Sequence, residues 1–201
     1  QTAQQSKFDG RGTVVAVVDS GIDYTHKDMG LSPGVAGKLS KEDVSAIQSG
    51  NPQLKGRYFT EKVPYGYNYA DQNSSVIDTA VEDPAYNHGR HVAGIIGANC
   101  QSQTEINAYN GVRGAAPECQ LLAMKIFSNT ANVSASEADI IAAIEDSVAL
   151  GADVINLSIG LSAGFHNSEN GQQKAIKAAR EAGVIVVAAA GNGAYAPYQQ
   201  A

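Results

Sequence analysis

Three short polar groups in this chain could together perform acid–base chemistry. They centre on Asp19, His88 and Asn192, and each stands beside a glycine at the edge of an apolar run. A buried carboxylate can fix the tautomer of an imidazole and stabilise the imidazolium that forms when a hydroxyl is deprotonated. An asparagine amide can donate a hydrogen bond to a developing oxyanion. The three groups therefore indicate a hydrolytic site that uses a hydroxyl nucleophile.

Each of these residues also has an ordinary structural interpretation when it is considered alone. Asp19 could be a turn residue after a strand, His88 a satisfied structural histidine, and Asn192 a turn residue in the left-handed region. His91 follows His88 by three residues and could form a metal pair with it, together with Asp19. No His-Glu-x-x-His or paired-cysteine motif is present. We therefore expect His91 to be a packing residue.

Hydrophobic patterning predicts the elements that would position these groups. A capping box of Ser134 and Glu137, followed by Gly151 at the C′ position, marks one helix over 134–150. The polar stretches 30–87 and 99–111 are interpreted as surface insertions, apart from one short strand near Tyr65–Tyr69. The other predicted elements are strands over 13–18, 121–127, 153–158 and 184–189, and helices over 88–98 and 168–182.

Alternation of strands and helices at short spacing predicts right-handed crossovers and a parallel sheet, in an α/β fold of one domain over 1–201. In such a sheet, ligands bind beyond the carboxyl ends of the strands. Asp19, Ser158–Gly160 and Gly191–Asn192 each follow a predicted strand, and His88 opens a helix entered from a loop. Topology therefore brings all four to one edge of the sheet.

Composition narrows the possible partners. The chain has 201 residues, a net charge of −6, 43% hydrophobic and 17% charged residues, which are typical of a globular protein. The acidic balance argues against nucleic acid or an anionic membrane as partner. No apolar run approaches the ~18 residues needed to span a bilayer. Cys100 and Cys119 match no metal motif; two unpaired thiols or one disulfide both stay open. Gly10 and Gly12 precede a strand, which is the wrong order for dinucleotide binding.

In their order and spacing, residues 19–22, 87–94 and 189–192 resemble the subtilisin-like serine proteases, the subtilases. Residues 13–29, 56–59, 62–71, 117–125 and 140–147 are more closely similar to the lactocepin and C5a-peptidase branch of cell-envelope proteinases. The resemblance implies a three-layer, subtilisin-like fold with a mostly parallel central sheet. It also implies that the chain is the N-terminal portion of a catalytic domain.

Roles follow from the resemblance, residue by residue. Asp19 would orient His88, His88 would act as general base and then general acid, and Asn192 would help to bind the oxyanion. An extended polypeptide substrate would pair with one segment and fill a pocket beside another. The implied substrate-binding residues are Ser158, Ile159, Gly160, Ala189 and Gly191. Asp28 matches a family calcium ligand, which implies a structural calcium ion, although the loop from Asn99 to Val112 differs in length from the usual calcium loop.

The sequence departs from the family pattern in two ways. Arg90 stands where the family usually has threonine, which adds bulk and charge near His88. No Gly-Thr-Ser block is present, so the nucleophile is missing. We expect a secreted or cell-wall-associated serine endopeptidase whose serine lies on a missing C-terminal segment, with this chain inactive by itself. The alternative is a catalytically inactive subtilase-like protein that binds peptides or acts as a scaffold.

Overall fold

The computed structural model describes residues 8–81, 86–130, 135–160 and 170–192. These residues form strands and helices that alternate along the chain. In chain order the elements are β1 (Val14–Asp19), α1 (Lys41–Gly50), β2 (Tyr65–Asn68), α2 (His88–Gly97), α3 (Gln103–Asn107), β3 (Gln120–Lys125), α4 (Glu137–Ala149), β4 (Val154–Leu157), α5 (Gly171–Glu181) and β5 (Ile185–Ala188).

The strands form one sheet in the order β2-β3-β1-β4-β5, and every pairing is parallel. The predicted α/β fold with a parallel sheet is confirmed. β1 lies in the middle, where Asp19 pairs with Lys125 of β3 and Val18 with Leu157 of β4. Leu157 in turn pairs with Ala188 of β5. This register aligns the carboxyl ends of β1, β4 and β5.

Alternate side chains of β1 enter two separate hydrophobic clusters. Val14, Ala16 and Val18 pack with α4 and α5, whereas Val15 and Val17 pack with Ala93 of α2. Because successive strand residues point to opposite faces, both faces of the sheet are covered by helices. All six residues of β1 are buried. The three-layer arrangement explains why this strand is an uninterrupted apolar run up to Asp19.

The N-terminus of α4 differs from its prediction. Ser136 is the N-cap, and its hydroxyl accepts a hydrogen bond from the Asp139 backbone N–H at 3.1 Å. The predicted cap, Ser134, lies outside the described residues. The sequence offers two serines, each with an acidic residue three positions later, and the structure uses the second pair. Gly151 has φ of +74° after the helix, as a C′ glycine should.

The predicted insertions contain helices that periodicity alone did not indicate. Within 30–87, α1 begins after Ser40, which forms a capping box with Asp43. The helix buries Val44 in the hydrophobic cluster that contains Val14, Ala16 and Val18. Within 99–111, α3 is a five-residue helix with no buried residue. The short strand expected near Tyr65 is confirmed as β2. α1 was missed because its inward-packing apolar residues, Val44 and the partly buried Ile47, are too few to produce a clear stripe.

Both cysteines are buried free thiols. Cys119 is in the cluster beneath α2, while Cys100 lies in the loop that follows α2 and contacts Glu105. Of the two possibilities left open by the sequence, the structure has the unpaired thiols. Among the described helices, none combines the length and apolarity needed to cross a membrane.

β5 exposes two apolar side chains on one face, Ile185 at 62% and Val187 at 50%. We expect the 201-residue chain by itself to self-associate through this face, since exposed apolar strand surface promotes pairing between chains. Replacing both residues with threonine should weaken association by roughly tenfold or more, because little apolar area is then buried. Light scattering coupled to size-exclusion chromatography measures the change.

Val81→Thr provides the matched control, because Val81 is 68% exposed but lies outside the sheet. It should leave the association constant unchanged. A monodisperse wild-type monomer at high concentration would contradict the prediction.

Candidate active site

Asp19 ends the central strand and is 1% exposed. Its Oδ1 and Oδ2 lie 2.8 Å and 3.0 Å from Nδ1 of His88, and Oδ1 also accepts the Ser20 backbone N–H at 2.6 Å. Burial raises the pKa of Asp19, while the hydrogen bond from His88 opposes that rise. The predicted contact between Asp19 and His88 is therefore present, with the carboxylate buried and the imidazole half exposed.

His88 is the first residue of α2, and its side chain is 48% exposed. With Nδ1 bound to Asp19, the nitrogen left to exchange protons is Nε2. A carboxylate at Nδ1 holds the imidazole in the tautomer with Nε2 unprotonated and stabilises the ring once it is protonated. The arrangement can therefore take a proton from a hydroxyl and return it to a leaving group.

Glycines allow the helix and the strand end to approach this closely. A β-carbon on Gly89 would lie 2.5 Å from the carbonyl oxygen of Gly21 and 3.0 Å from Oδ1 of Asp19. The Gly89 N–H donates to the Ser20 hydroxyl at 3.0 Å. Gly21 itself has φ of +129°, in a region that L side chains rarely adopt. Steric contact thus explains the glycine at position 89, and backbone conformation explains the glycine at position 21.

A second buried acid beneath the site was missed by sequence analysis. Asp78 is 2% exposed; its Oδ2 accepts the Asn87 N–H at 3.0 Å, and its Oδ1 lies 3.8 Å from Nζ of Lys125. Lys125, fully buried at the end of β3, also donates to the Ser20 carbonyl. Asp78 and Lys125 therefore hold the segments that carry His88 and Asp19.

One signal in the sequence could have identified this pair. Lys125 interrupts an apolar run from Leu121 to Phe127 that is predicted to be a strand, and a lysine buried in such a strand requires a partner. Asp78 lies in the stretch 30–87 that was interpreted as an insertion. Its position in space could not be obtained from spacing, because Asp78 and Lys125 are 47 positions apart in the chain.

The other predicted site residues lie at the same edge by register. Ser158 and Ala189 each come directly after a strand, and the Ala189 N–H donates to the Leu157 carbonyl at 3.0 Å. Gly191 has φ of +87°, and Gly191 and Asn192 are exposed. Ile159 is half-buried and Gly160 is exposed. The sheet therefore brings these residues to the edge where Asp19 lies, while only Asp19 and His88 are in direct contact.

The side chains of Arg90 and His91 lie in surroundings that differ from the contact between Asp19 and His88. Nη2 of Arg90 donates to the Asp78 carbonyl at 2.5 Å, and its guanidinium lies 5.8 Å from the Tyr86 ring centroid. His91 is exposed and lines a cleft with Met29, so it is not the packing residue that the sequence suggested. Among the described residues, the metal-type cluster does not include His88 or His91.

Asp28 lies near two further side chains that could bind a metal ion. Calcium takes six to eight oxygen ligands. The described cluster consists of Asp28, Cys100 and Glu105, so one of its three donors is sulfur. Oδ2 of Asp28 already accepts the Val112 N–H at 2.8 Å, and Glu105 forms an ion pair with Lys27. Calcium at Asp28 stays a prediction from the resemblance, and no step of the chemistry depends on it.

Gly89→Ala should push the start of α2, and with it His88, away from Asp19. The added methyl group meets the Gly21 backbone and Asp19, so we expect a loss of about 1–3 kcal/mol in the free energy of unfolding. The His88–Asp19 hydrogen bond should weaken with it. Chemical denaturation gives the stability, and the imidazole N–H resonance of His88 in NMR spectra reports the bond.

Gly94→Ala in the same helix is the matched control, because a β-carbon there has open space around it. It should stabilise the protein by up to about 1 kcal/mol through helix propensity. Equal effects of the two substitutions would show that Gly89 has no special steric role.

Asp19→Asn should raise stability at neutral pH. Because burial raises the folded-state pKa of Asp19, its contribution to stability is fully present below the unfolded value of about 3.9. That contribution is lost as pH rises through the folded-state pKa. The variant's advantage in unfolding temperature should therefore grow from pH 3 to pH 7. A constant difference across this range would contradict the raised pKa.

Comparison with solved structures supports the fold. The protease domain of PatA aligns with a TM-score of 0.57 at 23% identity, covering 93% of this chain and 53% of that one. The prenylagaramide maturation protease PagA aligns with a TM-score of 0.56 at 24% identity, covering 94% of this chain and 50% of that one. At these identities the likeness concerns the fold alone.

Comparison with known sequences identifies the family. A PII-type proteinase of Lactococcus lactis subsp. cremoris is 47% identical over 187 residues, covering 92% of this chain and 9% of that protein. The C5a peptidase of Streptococcus pyogenes serotype M18 is 35% identical over 196 residues, covering 96% and 16%. The chain thus spans a small part of these relatives. The subtilase family model matches residues 10–201, and the chain belongs to the subtilase family.

Proposed function

We propose that this chain supplies the aspartate, the histidine and the oxyanion asparagine of a serine endopeptidase that cleaves extended polypeptides. The single observation that supports this most is the contact of Asp19 with Nδ1 of a half-exposed His88. Membership of the subtilase family and relatives named as proteinases add to it. Peptide-bond hydrolysis is the reaction that this pair serves in a triad.

The proposed reaction uses Nε2 of His88 as the base. It takes the proton of a serine hydroxyl as the serine oxygen bonds to the scissile carbonyl carbon, and Asp19 stabilises the resulting imidazolium. The same proton then passes to the leaving amine as the carbon–nitrogen bond breaks. Water then attacks the acyl carbon while His88 takes a proton from it, and His88 passes that proton to the serine oxygen as the ester bond breaks, which releases the acid product and restores the serine.

Residues at the neighbouring strand ends would bind the substrate. The side-chain amide of Asn192, exposed beyond β5, would donate to the oxyanion. The segment Ser158–Gly160 would pair with the substrate backbone as an added strand. Ala189 and Gly191 would line the pocket for the adjacent side chain. The alignment of β1, β4 and β5 supports this arrangement, because it brings all three segments to one edge.

The serine would come from a further segment of the protein, so the 201-residue chain alone would be inactive. The exposed apolar face of β5 supports this, since Ile185 and Val187 lack cover. A segment that packs there could also bring the nucleophile to the sheet edge. We place the protein outside the cell or at the cell wall, where an extended polypeptide would be its substrate.

An inactive protein that kept the fold is the second candidate, suggested by Arg90. The guanidinium contacts the Asp78 carbonyl and the Tyr86 ring. Those contacts hold the Arg90 guanidinium beside the loop before α2. Asp19 keeps both of its contacts with His88. Arg90 is therefore compatible with an assembled pair, which favours the peptidase.

Labelling of the full-length protein with a fluorophosphonate tests the proposal. We expect a covalent adduct on a serine outside this sequence, mapped by mass spectrometry. His88→Ala should slow labelling by roughly 10²–10⁴-fold or more, because the general base is removed.

Lys177→Ala is the control, since Lys177 is 76% exposed on α5, away from the sheet edge. It should label at the wild-type rate. A folded full-length protein that forms no adduct would support the inactive alternative, and Arg90→Thr would then be the first reversion to make.

A further inference from the structure

A cleft beside α2 begins next to the catalytic histidine. It has a volume of about 390 Å³ and follows the helix from Asn87, the residue before His88, to Ala98. The segment after β1, including Asp23 and Met29, lines its other side. Concave sites of this volume bind small molecules and single side chains of larger partners. The position and size of the cleft therefore suit a ligand that also reaches His88.

The near end of the cleft, which contains Asn87 and Arg90, has a positive charge without a carboxylate partner. Nη2 of Arg90 donates to the Asp78 carbonyl, and the guanidinium lies near the Tyr86 ring, but neither group is an anion. Nε of Arg90 is buried and has no hydrogen-bond partner, and within the described part of the chain Arg90 forms no ion pair. A half-buried charge of this kind is costly until an anion reaches it.

An unpaired acceptor lies close to this donor. Asn87 is the N-cap of α2, yet its side chain makes no capping hydrogen bond, and its Oδ1 is buried without a partner among the described residues. Residues three apart on a helix are neighbours, so Asn87 and Arg90 can contact one ligand. Asp23, which also lines the cleft, already accepts the Thr25 N–H and hydroxyl through Oδ1. A cation beside a neutral acceptor suits a polypeptide residue that has both a carboxylate and a backbone N–H.

The far end of the cleft, which contains Met29, Ile95 and Val112, is apolar. Ile95 is 57% exposed and Val112 is 48% exposed, so both can contact a ligand. Arg90 and Ile95 are separated by about 7.5 Å along the axis of α2. An extended peptide advances by about 3.3 Å per residue and points alternate side chains to the same side. A peptide in the cleft would therefore have an acidic residue at the near end and an apolar residue two positions away.

The role of His88 indicates which part of a substrate enters the cleft. In the proposed reaction His88 gives its proton to the leaving amine, so the leaving part of the substrate starts at His88. We propose that the cleft binds this leaving part, with Arg90 selecting an acidic residue shortly after the scissile bond. Ile95 contacts an apolar residue two positions further on. This inference rests on the proposed peptidase function and adds a substrate preference to it.

Cleavage of matched peptides by the full-length protein tests the preference. A peptide that the protein cleaves is resynthesised with Glu, Gln or Lys at each of the first three positions after the mapped scissile bond. At one of these positions we expect kcat/KM to be roughly ten- to 100-fold higher for Glu than for Gln, since hydrogen bonds to charged groups have about this strength. Arg90→Thr should bring the ratio close to one, Arg90→Lys should retain part of it, and Arg90→Glu should favour Lys.

Arg11→Thr is the matched control for the loss of an arginine. Arg11 is 65% exposed, pairs with Asp9 and precedes β1, so it lies at the other end of that strand from Asp19. Its replacement should keep the Glu preference. Ile95→Ser should remove a preference for Leu over Ser two positions beyond the acid, while the Glu preference remains.

Equal kcat/KM for the Glu and Gln peptides at all three positions, or a Glu preference that persists in folded Arg90→Thr, would overturn this inference and leave the peptidase function in place. If no peptide is cleaved, the peptidase proposal fails, and peptide binding decides the inference. Fluorescence anisotropy should then show that an alanine-based peptide with Glu-Ala-Leu binds at least tenfold more tightly than one with Gln-Ala-Leu, and only when Arg90 is present. Equal binding of the two peptides would overturn the inference.

Discussion

A carboxylate that is 1% exposed at the end of the central strand is the constraint on which this structure depends. Asp19 is surrounded by apolar strands, and an ionised group in such a place needs partners. It has the Ser20 amide and the His88 imidazole. The helix must therefore begin directly over the strand end, and glycine at position 89 makes that distance possible.

A second buried pair supports the first. Lys125 ends the neighbouring strand, and its ammonium lies between the Ser20 carbonyl and the Asp78 carboxylate. Asp78 also binds the backbone of Asn87, which has φ of +63° as it enters α2. One ion pair thus connects the end of β1, the end of β3 and the start of α2. The negative charge of Asp78 also contributes to the raised pKa of Asp19.

Helices cover the two faces of the sheet to different extents. On one face α4 and α5 cover β1 and β4 with a continuous apolar cluster. On the other face α2 covers β1 and β3, but Ile185 and Val187 on β5 are at least half exposed. Asp19 ends the well-packed central strand, whereas the proposed oxyanion residue follows the least covered strand.

Local signals determined much of this protein. The apolar run before Asp19, the glycines that follow Asp19 and His88, and the stripe of Ile140 and Ile144 follow from residue type and period. They were enough to predict the parallel sheet and the Asp19–His88 pair. The same kind of signal misplaced the cap of α4, because Ser134 and Ser136 have equivalent spacings to an acid.

Only the tertiary structure decided which distant residues meet. Nothing in the spacing of Asp78 and Lys125, or of Asp28 and Cys100, shows that they are neighbours, because several helices and loops separate the members of each pair along the chain. The strand register places Asp19 beside Lys125. The contacts of the segment before α2 place Asp78 beside Lys125 as well. Residue types and their periodicity reveal how near neighbours in the chain arrange themselves, whereas burial and charge pairing depend on neighbours in space.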